Sequence, residues 1–203
     1  SLTVSTQSST QRFANNGSLR VWQRAALDKF LAAKPKDFMA VATPGAGKTT
    51  FALTLAAALR DGRDVERIIV VVPTEHLKHQ WSDAAKRFGL SLDANFTNSS
   101  GFNSAYNGIV VTYAQVAMHP FKHHALASAR RSLVILDEIH HAGDAKSWGD
   151  GVREAYNMVE HRLALTGTPF RSDDSAIPFV TYAEDGEGHL VSQADYTDRK
   201  SVV

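Results

Sequence analysis

Residues 42–50 carry the clearest chemical signal in the sequence, ATPGAGKTT, between one apolar run and an apolar segment of helical period. Glycines at this spacing let the backbone turn tightly and point its N–H groups at phosphate oxygens, and the N-terminus of a following helix attracts the same anion. Ala42 stands where the general pattern has its first glycine, a position that closes the strand and does not touch phosphate. We predict a nucleotide-binding loop made by Pro44, Gly45, Ala46, Gly47, Lys48, Thr49 and Thr50, with a chance glycine-rich turn as the alternative.

Two neighbouring carboxylates, Asp137 and Glu138, follow the apolar residues 132–136. The carboxyl ends of parallel strands meet at one edge of a sheet, so this pair is expected beside the phosphate loop. There Asp137 can hold Mg²⁺ together with the Thr49 hydroxyl, and Glu138 can orient and deprotonate an attacking water. A cation also offsets the mutual repulsion of the two carboxylates. Surface acids at an ordinary strand end are the alternative.

Apolar runs and helical periods alternate along the chain and define the elements that must position these groups. Runs rich in β-branched residues predict strands at 38–42, 67–72, 108–112, 132–136 and 162–166, with a weaker candidate at 91–96. Amphipathic patterns predict helices at 19–33, 49–60, 74–88, 121–130 and 147–159. Strands that are apolar on both faces are typical of a parallel sheet covered by helices on each side. We therefore predict an α/β fold with a mostly parallel sheet sandwiched between helices.

Length and composition favour one large cytoplasmic domain. The 203 residues include no cysteine, which excludes disulfides and cysteine-ligated zinc, and no apolar run is long enough to cross a bilayer. Residues 1–17 predict a flexible arm, residues 18–171 the nucleotide-binding domain, and residues 172–203 an acidic tail. Residues 171–203 carry a net charge of −4 within a total of +1, which leaves +5 for the rest. A mildly basic body is compatible with nucleic-acid phosphates but does not require them.

Six segments in order resemble the motifs of the first RecA-like domain of DExH-box proteins from helicase superfamily 2. They are LRVWQRAAL at 19–27, the phosphate loop, VVPTEHLKHQW at 71–81, VVTYAQV at 110–116, the Asp-Glu-Ile-His quartet at 137–140, and LALTGTPFR at 163–171. The first and last of these are most similar to the type III restriction subunit and DNA-repair helicase lineages, and less similar to the DEAD-box RNA helicases. The resemblance covers residues 19–171 and implies a RecA-like P-loop NTPase that uses ATP and Mg²⁺.

The resemblance also implies roles for residues outside the phosphate loop. Gln23 would contact the adenine edge, with a solvated glutamine as the alternative. Pro73, Thr74 and Thr112 would contact nucleic-acid phosphate, although the two threonines could serve only as helix N-caps. His140 would relay the nucleotide state to Thr166, Gly167 and Thr168, for which a purely turn-forming role is the alternative.

Histidines and tryptophans outside the quartet give weaker signals. His76 and His79, and the adjacent His123 and His124, find no further ligand at a spacing that suits a metal site. Trp22, Trp81 and Trp148 lie on amphipathic helices, where packing is expected rather than stacking on bases.

The expected function is that of the ATP-binding motor domain of a nucleic-acid helicase or translocase, acting on DNA rather than RNA. No second phosphate loop and no Gln-x-x-Arg-x-x-Arg pattern follows Arg171. Related motors resemble two RecA-like lobes, and arginines of the second lobe support hydrolysis. We therefore expect weak turnover without a second lobe. The alternatives are a restriction-system motor that moves along duplex DNA without unwinding it, and a nucleotide-gated binding module without significant turnover.

Overall fold

The β-branched runs of the sequence form the strands of one sheet in a computed structural model, which describes residues 19–41 and 47–167 and the backbone of 190–192. The strands are β1 (Asp37–Val41), β2 (Arg67–Val72), β3 (Leu92–Asp93), β4 (Gly108–Thr112), β5 (Ser132–Leu136), β6 (His161–Thr166) and β7 (Leu190–Ser192). The helices are α1 (Val21–Ala33), α2 (Lys48–Asp61), α3 (Glu75–Lys86), α4 (Tyr113–Met118), α5 (Pro120–Ser128) and α6 (Lys146–Tyr156). A 3-10 helix, Ile139–Gly143, connects β5 to α6.

The sheet has the strand order β3-β4-β2-β5-β6-β1-β7. The first six strands in this order run parallel, and β7 pairs antiparallel with β1, with Val191 opposite Met39. The predicted mostly parallel sheet is confirmed. Strand β7 was not predicted, because its three residues lie inside the polar segment 172–203 that was interpreted as an acidic tail. The predicted arm, residues 1–17, and the other residues of 172–203 lie outside the described residues.

Alternate residues of each central strand enter two separate apolar cores, one on each face of the sheet. In β2, Ile68, Val70 and Val72 pack with residues of α1, α2 and α3. Ile69 and Val71 point to the other face, where they pack with residues of α4, α5 and α6. This arrangement explains why the strand is apolar at every position and why helices must cover both faces.

Helix α4 was not predicted, and several other elements differ in extent from the prediction. With six residues and only two buried side chains, Tyr113 and Val116, α4 is too short to show a helical period. The weak strand candidate at 91–96 is reduced to the two residues of β3. The helix predicted at 147–159 ends at Tyr156, and the helix predicted at 74–88 ends at Lys86.

The longest helix of the described residues is α2, with 14 residues. Within that part of the chain, no helix has the length and apolar character needed to cross a membrane.

Candidate nucleotide site at the carboxyl edge of the sheet

The carboxyl ends of five neighbouring strands bring most of the predicted site residues to one edge of the sheet. In sheet order, β4 ends at Thr112, β2 leads into Pro73, β5 leads into Asp137, β6 leads into Gly167, and β1 leads into residues 42–46. Ligands of open parallel sheets bind at this edge, where the loops after the strands converge. The topology therefore places the carboxylate pair and Gly167 side by side, next to β1, the strand that precedes the phosphate loop in sequence.

Gly47 ends the phosphate loop and is the N-cap of α2, whose first turn holds Lys48, Thr49 and Thr50. Its φ of 87° lies in the left-handed region that favours glycine. A β-carbon there would lie 2.2 Å from Nε2 of Gln23, so a larger residue would displace the Gln23 side chain. The N-terminus of this 14-residue helix carries first-turn N–H groups of the kind that bind phosphate. The predicted contacts of Pro44, Gly45, Ala46 and Thr168 lie outside the described residues.

Gln23 is held between the start of α1 and the end of the phosphate loop. Its side chain is 2% exposed, Nε2 donates to the Gly47 carbonyl at 2.7 Å, and Oε1 accepts from the Arg20 amide at 2.6 Å. The solvated alternative is therefore wrong. These bonds tie α1 to the phosphate loop, and the ring of Trp22 on the same helix lies 5.7 Å from that of Phe51 on α2. Contact of Gln23 with adenine stays a prediction.

Asp137 is the most tightly held residue of the site. Its backbone N–H donates to Val71 O at 2.9 Å, and its carbonyl accepts from the Tyr113 hydroxyl at 2.7 Å. The side chain is 8% exposed, and Oδ2 accepts a hydrogen bond of 2.9 Å from the indole Nε1 of Trp81. Asp137 is thus held through its backbone by β2 and α4, and through its carboxylate by α3.

Burial raises the pKa of the Asp137 carboxyl to about 6. The Trp81 hydrogen bond and the positive charge of Lys48 lower this pKa, while the negative charge of Glu138 raises it. The raised pKa follows from burial, which disfavours the charged form of a carboxyl. A divalent cation beside Asp137 would favour the ionised form.

Asp137 is expected to contribute less to the stability of the chain as the pH rises, because the folded state retains a proton on its carboxyl that the unfolded state releases. The carboxyl titrates near pH ~4 in the unfolded chain and near 6 in the folded chain. The stabilisation is complete below pH ~4 and is lost above pH ~6, which corresponds to roughly 3 kcal/mol. Denaturant unfolding of wild type and Asp137→Asn at pH 4 and pH 7 measures it, because the difference between the two proteins cancels the opposing contribution of His123, whose pKa burial lowers to about 4. Asp137→Asn, which keeps an oxygen for the Trp81 donor, should remove this part of the pH dependence; identical pH dependence in both proteins would contradict the assignment.

Glu138 has a left-handed backbone, with φ 45° and ψ 56°. For a residue other than glycine this conformation costs about 1–2 kcal/mol. Its Oε2 lies 3.5 Å from the Gly167 N–H nitrogen and 3.5 Å from Nδ1 of His140, and the same Nδ1 lies 3.4 Å from the Thr166 hydroxyl. The structure therefore brings the carboxylate pair, His140 and the end of β6 into one polar cluster. Glu138 is half-buried, and the strained turn directs it out of the strand toward this cluster.

Thr74 and Thr112 both cap helices. The Thr74 hydroxyl accepts from Leu77 N at 3.4 Å at the start of α3, and the Thr112 hydroxyl accepts from Gln115 N at 3.1 Å at the start of α4. Thr74 is exposed, whereas Thr112 is only 6% exposed. The N-capping role is thus present at both positions. Contact of Pro73, Thr74 or Thr112 with nucleic acid remains a prediction.

Sequence reasoning missed the polar role of two aromatic residues. Trp81 packs in the core as expected, with 2% exposure, but its N–H also holds Asp137. Tyr113 is fully buried, bonds the Asp137 carbonyl and stacks on Trp148 at a centroid distance of 6.2 Å. A buried indole or phenol needs a hydrogen-bond partner, so the sequence could have indicated that Trp81 and Tyr113 have one. This rule does not identify the partner, which for Trp81 is Asp137, 56 residues away.

The residues present suit the binding of Mg²⁺ and a nucleoside triphosphate. Mg²⁺ prefers hard oxygen ligands, often one or two protein oxygens completed by phosphate and water. The Thr49 hydroxyl in the first turn of α2 and the Asp137 carboxylate supply such oxygens. Lys48 lies close enough to Asp137 to lower the pKa of that carboxyl, so a cationic and an anionic group share the same edge.

Comparison with solved structures identifies the fold as the RecA-like fold of helicase motor domains. The UvsW helicase from bacteriophage T4 matches 73% of this chain with a TM-score of 0.58 and 17% identity, over 52% of its own length. The SWI2/SNF2 ATPase core of Sulfolobus solfataricus, solved in complex with dsDNA, matches 89% of this chain and 38% of its own with a TM-score of 0.63 and 19% identity.

Residues 16–171 match the family described as type III restriction enzyme, res subunit, and the chain belongs to that family. An uncharacterized protein of Mycobacterium tuberculosis is 60% identical over 183 residues, which are 90% of this chain and 30% of the relative. A candidate DNA 3'-5' helicase Rad25 of Haloarcula marismortui is 28% identical over 158 residues, or 77% of this chain and 23% of the relative. The chain thus spans less than a third of the length of these relatives.

Proposed function

We propose that this chain is the ATP-binding motor domain of an ATP-dependent DNA helicase or translocase. The observation that carries the proposal is the convergence at one sheet edge of the α2 N-terminus, the carboxylate pair and the His140–Thr166 contact. The first two groups suit binding and hydrolysis of a nucleoside triphosphate. The His140–Thr166 contact can transmit the change from bound triphosphate to diphosphate to neighbouring segments. DNA as the partner is supported by the name of the Rad25 relative and by the dsDNA in the SWI2/SNF2 structure.

The roles of the individual groups follow from their positions. Lys48 and the first-turn N–H groups of α2 would bind the phosphates, and Thr49 and Asp137 would hold Mg²⁺. When bound, Mg²⁺ neutralises phosphate charge and orients the phosphates. Glu138 leaves the strand beside Asp137 and accepts the proton of the attacking water. Catalysis in this scheme is positioning and electrostatic stabilisation rather than covalent chemistry.

Contacts around α3 provide a route from nucleotide to nucleic acid. The exposed Thr74 is the N-cap of this helix, where a phosphate can meet the hydroxyl and the first-turn N–H groups that precede Leu77. Seven residues further on, Trp81 of the same helix holds Asp137. Movement of α3 on nucleic acid would therefore act directly on the Mg²⁺ carboxylate. A second RecA-like lobe, proposed to lie elsewhere in the intact protein, would supply arginines that accelerate turnover.

The proposal predicts that nucleic acid stimulates ATP hydrolysis by the intact protein that contains this chain. Steady-state ATPase rates with single-stranded DNA, duplex DNA, RNA and no nucleic acid provide the measurement. The larger stimulation is expected with DNA. Strand displacement of a partial duplex then separates a helicase from a translocase that moves along duplex without unwinding. If none of the three nucleic acids raises the rate, the motor function is refuted and a nucleotide-gated binding module becomes the better description.

A further inference from the structure

A pocket rich in arginine lies at the amino edge of the sheet, opposite the nucleotide site. Its volume is about 580 Å³, and it is lined by Arg60, Arg63, Arg67, Arg130 and Arg131 together with aromatic and polar side chains. These arginines come from three places in the sequence: the end of α2 with the turn after it, the first residue of β2, and the turn before β5. Strand β2 has six residues, so roughly 17 Å separate this pocket from the carboxyl edge.

Positive charge in the pocket is only partly compensated. Of the described residues in its lining, Glu66 alone carries a carboxylate. Glu66 lies 3.8 Å from Arg130 Nε and 3.5 Å from Arg131 Nη2, and all three side chains are about half exposed. Five guanidinium groups therefore face one carboxylate, in a chain whose total net charge is +1. Clustering of like charges is unfavourable unless an anion compensates it.

Two of the arginines are fixed in place before any ligand arrives. Arg67 donates from Nη1 to the Leu126 carbonyl at 2.6 Å, and its guanidinium lies 3.9 Å from the centre of the Phe102 ring. Arg131 donates from Nη2 to the Arg63 carbonyl at 2.9 Å. Burial, and after it the charge of Arg130, lowers the pKa of Arg67. Side chains held in this way lose little entropy when they bind an anion, which favours affinity.

We propose that this pocket binds a ligand that carries phosphate groups. A tetrahedral phosphate accepts hydrogen bonds from several directions, which suits guanidinium groups that approach from three separate segments. A carboxylate accepts in one plane and matches fewer of them. The volume lies within the usual 300–1,000 Å³ of sites for small ligands. The phosphates can belong to a free pyrophosphate-type compound or to a nucleic-acid backbone, and the pocket is independent of the function proposed for the opposite edge.

The test uses a chain in which the phosphate loop is disabled by Lys48→Ala, with EDTA present, so that binding at the nucleotide site is suppressed. The probes are inorganic pyrophosphate and single-stranded hexathymidylate, and the dissociation constant Kd is measured by titration calorimetry. Arg60→Gln with Arg63→Gln removes two exposed guanidinium groups of the pocket. Lys86→Gln with Arg87→Gln, an exposed basic pair at the end of α3, makes the same charge change outside it.

The pocket variant is expected to raise the Kd of at least one phosphate probe at least tenfold, equivalent to about 1.4 kcal/mol, while the control variant leaves it unchanged. A higher Kd for pyrophosphate in the pocket variant identifies the ligand as a free phosphate compound. A higher Kd for the oligonucleotide alone identifies it as a nucleic-acid backbone. Arg130→Gln provides a second variant at a residue 63% exposed, should the first fail to fold. Equal Kd values for pocket and control variants overturn the proposal. The proposal is also overturned if a hexaglutamate peptide binds as tightly as the phosphate probes and its Kd rises equally in the pocket variant.

Discussion

Glu138→Gln should lower ATP turnover by about 10²–10⁴-fold, the usual contribution of a positioned general base. The amide is nearly isosteric and keeps an oxygen for the contact with Gly167 N, 3.5 Å from Oε2. It cannot accept the proton of the attacking water. Steady-state ATPase rates of the intact protein, measured with DNA, provide the comparison.

Nucleotide affinity separates loss of chemistry from loss of binding in this variant. The Kd of a fluorescent ATP analogue with Mg²⁺ should stay within a few-fold of wild type, because Lys48, Thr49 and Asp137 are untouched. Glu154→Gln removes a carboxylate from the exposed face of α6 and should have no effect on either quantity. Wild-type turnover in Glu138→Gln would remove this residue from the mechanism.

Trp81→Phe should weaken Mg²⁺-dependent nucleotide binding by about tenfold, because Asp137 loses the donor that orients its carboxylate. Hydrogen bonds to charged groups are worth about 1.5–3 kcal/mol. Phenylalanine retains most of the apolar packing but has no N–H. The pKa of Asp137 should rise further, since the Trp81 bond is one of the contacts that lower it. Titration of Mg²⁺ against a fluorescent ATP analogue measures the effect.

The Mg²⁺ dependence distinguishes positioning of Asp137 from general packing. A residue that only packs would change the unfolding free energy without shifting the Mg²⁺ concentration for half-maximal nucleotide binding. Trp148→Phe is the matched control, because that indole stacks on Tyr113 and does not contact Asp137. If both variants shift the Mg²⁺ midpoint equally, the hydrogen bond is not the cause.

The central strands were predictable because burial on both faces leaves a continuous apolar run with sharp ends. Strands β2, β4 and β5 begin and end where the runs 67–72, 108–112 and 132–136 do. At the sheet edges the pattern is weaker. Strand β3 keeps only two residues of the predicted segment, and β7 is three residues long within a polar stretch. Short edge strands depend on a neighbour that already exists, which local sequence does not encode.

The site was predictable in its residue types and their order, but not in the contacts that hold them. Lys48, Asp137 and Gly167 follow strand ends, so the parallel sheet alone brings their segments together. By contrast, the bond from Trp81 to Asp137 depends on how α3 packs on β2 and β4. The left-handed backbone of Glu138 likewise gives no signal in residue type, since glutamate rarely adopts it.

Strand β5 is the fourth of the seven strands, with neighbours paired on both sides. Local opening of a sheet starts at frayed edges, so the ladder around β5 belongs to the part of the fold that exchanges its amide hydrogens last. The Asp137 N–H, bonded to Val71 O, lies at the end of that slow-exchanging ladder. Glu138, one residue later, has already left it in a strained turn. Within one residue the chain thus passes from Asp137, which is held as the proposed metal ligand would need to be, to Glu138, the proposed general base, whose backbone has left the ladder.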